Sequence, residues 1–226
     1  MSTIDTSYFT HIFDAFLTPD PVSYELTVSE SDSPLLSSFT TTLHHKNPPV
    51  KILLSIAGDH AIFARMATKA SSRKSFIDST IEIGRKYGFD GLDLDWEFPQ
   101  STQEMEDLGV LLEEWRLALI KEARTTNRKP LLLTEAVYFA VDFFLTNKSK
   151  YPVASIIKNL DWVNVMCFDY HGSWDTSATG THAWLRVLTA LVETAASFPA
   201  TGSLKANNRD QNLTVLMSGS STIFMC

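Results

Sequence analysis

The chain has 226 residues, 44% of them hydrophobic and 20% charged, which is enough apolar content to bury a substantial core within one domain. Nineteen Lys and Arg against 26 Asp and Glu leave a net charge of -7, and no basic cluster appears that would track phosphates. Nucleic acid and anionic membranes are therefore excluded as expected partners, and neutral sugars fit the balance better.

Cys167 lies within an apolar run and Cys226 ends the chain, so no disulfide framework is indicated. No apolar stretch has the length of a membrane span. The opening MSTIDTSYFT lacks the basic start and apolar core of a secretory leader, so the chain as given is not expected to be exported by one. The sequons at Asn147-Lys148-Ser149 and Asn212-Leu213-Thr214 would matter only in an exported protein.

In chain order, short runs rich in β-branched and aromatic residues alternate with helical patterns, which predicts parallel strand-helix-strand units. Strands are expected over residues 9–16, 50–56, 88–96, 130–137 and 162–168. Helices are expected over 35–44, 73–87, 101–126, 153–158 and 183–198. The third of these helices is the clearest, with Leu108, Leu111, Leu112, Trp115, Leu117 and Leu119 as its apolar face. Gly58, Asp59, Glu97, Tyr138, Asp169 and Tyr170 all fall at C-terminal ends of expected strands. In parallel barrels that is where active sites are built.

The most informative segment runs from Asp90 to Glu97, Asp-Gly-Leu-Asp-Leu-Asp-Trp-Glu. Side chains two apart on a strand share a face, so Asp93, Asp95 and Glu97 point one way and Leu92, Leu94 and Trp96 the other. The acids are then roughly 6–7 Å apart at about 3.3 Å rise per residue. Each charge raises the proton affinity of the next, so at least one carboxyl is expected to be protonated near neutral pH, as a general acid must be. A wet acidic strand face is the plain alternative, but lined-up like charges are destabilising. A hard-cation site is the sharper one, and no second acidic cluster completes its shell. Asp90 has the opposite parity and is assigned to structure. His171 and His182 lack metal-ligand spacing with other candidates and are read as ordinary polar contacts.

The run FDGLDLDWEFP, residues 89–99, resembles the DxxDxDxE signature of glycoside hydrolase family 18, and most of all the plant class V chitinases. KILLSIAG, residues 51–58, is similar to the family's SxGG strand, and VNVMCFDY, residues 163–170, to its MxYD strand. The motifs follow the family's order over about residues 7–182, and 183–226 is atypical. The resemblance implies an α/β fold of (β/α)8 TIM-barrel type, incomplete here. The family's first strand has no room before Ser7. Its last strands are missing, with residues 213–217 and 222–225 able to form two short replacements. The tryptophan that floors the family's central sugar subsite has no counterpart after Trp184, which falls in an expected helix.

The resemblance further implies retaining hydrolysis of β-1,4-linked N-acetylglucosamine polymers, assisted by the substrate's own acetamido oxygen, with no metal or other cofactor. Glu97 would protonate the glycosidic oxygen and then activate water. Asp95 would orient the acetamido group, and Asp93 would share a proton with it. Asp169, Met166, Phe168, Tyr138, Tyr170 and Trp174 would shape the sugar subsite, the aromatic residues as stacking platforms. The partner expected is chitin or its oligosaccharides, bound by a monomer, and the location implied is extracellular or vacuolar. A chitin-oligosaccharide lectin or an inactive truncated product on the same scaffold are the alternatives. Three departures stand out: Phe168 in place of a tyrosine, Ala57 in place of the first glycine of SxGG, and Asp14 in a strand where relatives carry an aromatic residue.

Overall fold

The computed structural model describes residues 4–138, 150–169, 171–177, 180, 215–218 and 221–224, the last two stretches as backbone. The expected helix over 183–198, both sequons, and Tyr170, His182, Trp184 and Cys226 lie outside the described residues.

Five strands and the helices between them repeat one unit. β1 (His11–Leu17) leads to α1 (Ser33–His44), β2 (Lys51–Ala57) to α2 (His60–Ala67) and α3 (Ala70–Tyr87), and β3 (Gly91–Asp95) to α4 (Thr102–Thr126). β4 (Leu132–Tyr138) and α5 (Val153–Asn159) precede β5 (Trp162–Met166). All five strands run parallel in the order β5-β4-β3-β2-β1, each beside its sequence neighbour, so that every connection is a crossover carrying a helix. This is the α/β alternation of a TIM-type barrel, present as a partial one.

The strands that the sequence allows near 213–217 and 222–225 are present and cover the edge of β1. β6 (Val215–Ser218) pairs with it in parallel at Ile12 and Phe13, and β7 (Ser221–Phe224) closes antiparallel on β6. The backbone groups β1 would leave unpaired thus find partners. Among the described residues the sheet ends at β5 and β7.

The two sheet faces separate by residue parity. Ile12, Ile52, Leu54, Leu92, Leu94, Trp96 and Leu133 join the helices in the main core, with Phe76, Leu108, Leu112 and Trp115 against them. Leu108, Leu111, Leu112, Trp115 and Leu119 are fully buried, whereas Leu117 is exposed because it stands two residues past Trp115, off the stripe. On the opposite face Phe13 and Leu53 pack with Leu132 and Trp162.

Two details set the spacing that the site needs. A Cβ on Gly91 would lie 2.6 Å from the Leu132 Cβ, so only glycine lets β3 and β4 approach this closely. Asp90 accepts from the Ile52 backbone N–H and faces His44 at 2.9 Å, which ties the start of β3 to β2 and α1 and bears out its structural assignment. α2 has no counterpart in the sequence reading. Asp59, one of the strand-end polar residues, is its N-cap and accepts from the Ala61 N–H at 2.7 Å.

Candidate active site

β3 carries Asp93 and Asp95 on the face away from the helices, because the apolar residues between them are taken up by the core. Asp93 is fully buried and richly hydrogen-bonded. Ser55 Oγ from β2 donates to its Oδ2 at 2.7 Å, while Thr134 Oγ1 from β4 and Asn164 Nδ2 from β5 donate to Oδ1 at 2.5 and 3.0 Å. Three neighbouring strands therefore hold one carboxylate. Burial raises its pKa to about 6, against the opposing pull of those three donors.

Asp95 has the reverse environment. It is 8% exposed, and its Oδ1 is buried with no hydrogen-bond partner among the described residues. Burial first, then the charges of Glu97 and Asp93, raise its pKa to about 8. The two carboxyls are a coupled pair, and donors favour charge on Asp93 while isolation favours a proton on Asp95.

Glu97 differs from the sequence expectation. β3 ends at Asp95, so Glu97 sits beyond the strand on the segment leading to α4, exposed at the upper rim. Its pKa is raised by the desolvation the surrounding protein imposes and then by the charge of Asp169. Asp169 stands just past β5 with φ of 56°, in the left-handed region. Strand alternation does not continue through that residue. β5 likewise ends at Met166, two residues before the predicted end.

Met166 is buried and pairs in register with Tyr138 at the end of β4. The Tyr138 ring meets Phe98 edge-on at 5.5 Å, and its backbone N–H donates to Tyr151 Oη. Phe168 is half-buried. Trp174 is 59% exposed in the loop beyond β5 with its ring over Gly172, where an added Cβ would fall 2.3 Å from it. His171 faces Asp175 at 2.9 Å, a local contact.

Ser55, Thr134 and Asn164 were not singled out from the sequence. Each is a small polar residue at an inward position of a mostly apolar strand, and that is the signal that marks them. Glu135 was missed as well. It is 1% exposed, falls in register with Leu94, and has an unpartnered Oε2 among the described residues. Burial and the charges of Asp93 and Asp95 push its pKa well above the usual range.

The family model of glycosyl hydrolases family 18 matches residues 1–221. The chain belongs to this family. Among its curated relatives is Nod factor hydrolase protein 1 of Medicago truncatula, 53% identical over 180 residues, a match covering 76% of this chain and 47% of that protein. The chain spans about half the length of the curated relatives it matches. Of solved structures, a family 18 chitinase from Cycas revoluta in complex with (GlcNAc)3 is similar at 40% identity and a TM-score of 0.81, covering 89% of this chain and 62% of that one. The chitinase-like agglutinin from Robinia pseudoacacia is 46% identical with a TM-score of 0.71, over 76% of this chain and 52% of its own. Within this family 18 member the described acids sit at the C-terminal ends of the parallel strands, the active-site face of such barrels.

Proposed function

We propose that this family 18 chain carries the acid and the orienting carboxyl of a chitinase-type hydrolase acting on β-1,4-linked N-acetylglucosamine oligosaccharides. One observation supports the reading above the others: Asp95 Oδ1 is a buried acceptor with no partner among the described residues, on the sheet face beside a carboxyl whose proton affinity is raised. An acetamido N–H supplies the donor this oxygen lacks. Held there, the acetamido carbonyl oxygen is directed at the anomeric carbon and displaces the leaving group, which Glu97 protonates. Water, deprotonated by the same Glu97, then opens the cyclic intermediate and leaves the anomeric configuration retained. Asp93, fixed by its three donors, bears the negative charge of the pair beneath Asp95, which keeps its proton. The (GlcNAc)3 bound in the Cycas revoluta structure matches this choice of sugar.

Release of fluorophore from a fluorogenic chitobioside, run beside a thermal melt, is the test. Turnover in a chain that melts cooperatively is the expected result. Binding without turnover would favour the second reading, for which the likeness to a chitinase-like agglutinin speaks. Absence of a cooperative melt would identify an inactive fragment.

Phe168 carries a prediction of its own. If a hydroxyl at that position helps hold the acetamido oxygen, as the family motif implies, then Phe168→Tyr is expected to raise kcat with little change in KM, since a preorganised donor of this kind is worth on the order of 10²–10³ in rate. Steady-state kinetics on the folded variant check it, and an unchanged or lower kcat would remove Phe168 from the acetamido subsite.

A further inference from the structure

Trp96, immediately before Glu97, is 1% exposed, and its indole N–H can only donate. It points at Nδ1 of His60, 3.2 Å away. That nitrogen must therefore accept, which places the proton of the neutral ring on Nε2. Nε2 faces Oε2 of Glu104 at 3.5 Å, and the same oxygen accepts the Gln100 backbone N–H at 2.6 Å. A chain of contacts thus runs from Trp96 through His60 and Glu104 to Gln100 and encloses the segment 97–99.

Each end of that chain is fixed independently. His60 is the first residue of α2, capped by Asp59, and Phe63 one turn along stacks on the same indole at 5.9 Å. Glu104 lies in the first turn of α4, where its own N–H donates to the Ser101 cap. The segment bearing Glu97 has left the regularity of β3 and has no strand pairing to hold it. His60 joins its two anchors, touching Trp96 through one ring nitrogen and Glu104 through the other.

We infer that His60 is a positioning residue for Glu97, a splint between α2 and α4 that fixes where the carboxyl of Glu97 can reach. This rests on Glu97 being the general acid, and the test keeps the two claims apart. Chemistry is sensitive to placement at the ångström level, so His60→Ala is expected to lower kcat on a chitobioside by about five- to fiftyfold with KM within about twofold. In ¹H–¹⁵N spectra of the full chain, the Trp96 indole resonance, identified by its loss in Trp96→Phe, is expected to shift upfield in His60→Ala, and the Gln100 amide to exchange faster. His60→Asn puts an amide oxygen where Nδ1 stood. With nothing at the position of Nε2, it should restore the indole resonance while Gln100 exchange stays fast and kcat stays low, a split that a general loss of stability would not give. An unmoved indole resonance with unchanged Gln100 exchange in His60→Ala overturns the splint, whatever the activity. Altered spectra with an unaltered kcat overturn the positioning role. A parent chain that does not turn over sinks the acid assignment, and the spectra still decide whether the splint exists.

Discussion

Glu97→Gln is expected to lower turnover of a chitobioside by about 10² to 10⁴, the range that general acid catalysis supplies, while oligosaccharide binding stays within a few-fold. The amide keeps the shape of the side chain and its neighbours but cannot deliver the proton. The raised pKa of Glu97 gives the effect a pH signature. The acid must be protonated to act, so activity is expected to persist at mildly acidic pH and to fall as pH rises through the Glu97 value. Asp169 contributes to that elevation, second to desolvation. Asp169→Asn is accordingly expected to move the alkaline limb to lower pH. Turnover in Glu97→Gln above a tenth of the parent, or an alkaline limb that does not move in Asp169→Asn, would break the assignment.

The second large effect concerns stability. Glu135 falls in register with Leu94 and has an oxygen with no partner among the described residues, and a buried unsatisfied polar group costs about 1–3 kcal/mol. Glu135→Leu is therefore expected to stabilise the chain by about that amount at pH 8, raising Tm by about 2–4 °C per kcal/mol. The pH dependence follows from the direction of the shifts. Glu135, Asp93 and Asp95 all bind protons more tightly folded than unfolded, so the native state holds the greater number. Their contribution is complete below the unfolded carboxylate range and is lost as pH rises, through about 6 for Asp93 and about 8 for Asp95. Melting temperature should decline from mildly acidic to alkaline pH, and less steeply in Glu135→Leu. A variant less stable than the parent at every pH would show that Glu135 has a partner that matters.

Most of this architecture is legible in the sequence because two periods are written plainly. The alternation in residues 90–97 assigns Leu92 and Leu94 to the helix layer and Asp93 and Asp95 to the other face, and the burial follows it. The α4 stripe is equally clear except at Leu117. What was illegible depends on partners distant in the chain. Nothing near Ser55, Thr134 or Asn164 announces that the three converge on Asp93 from three strands. Glu135 reads as a second polar residue beside Thr134 in a mostly apolar strand, and only its register with Leu94 places it on the helix side. α2 escaped notice because eight residues give barely two helical turns, although Asp59 before Phe63, Met66 and Ala67 is a cap followed by an apolar face. The ends of β3 and β5 were set too late, since alternation of residue types continues in the sequence after the backbone has left the strand. The pairing of β6 with β1 lies beyond local reading, because the two are some 200 residues apart.

The most direct test of the account is the anomeric form of the first product, read by ¹H NMR during hydrolysis of a chitin tetrasaccharide before mutarotation. Attack by the acetamido oxygen followed by water predicts the β-anomer at early times, and no cleavage of the corresponding oligomer whose acetyl groups have been removed. Appearance of the α-anomer first, or equal cleavage of the deacetylated oligomer, would contradict the roles given to Asp95 and Glu97.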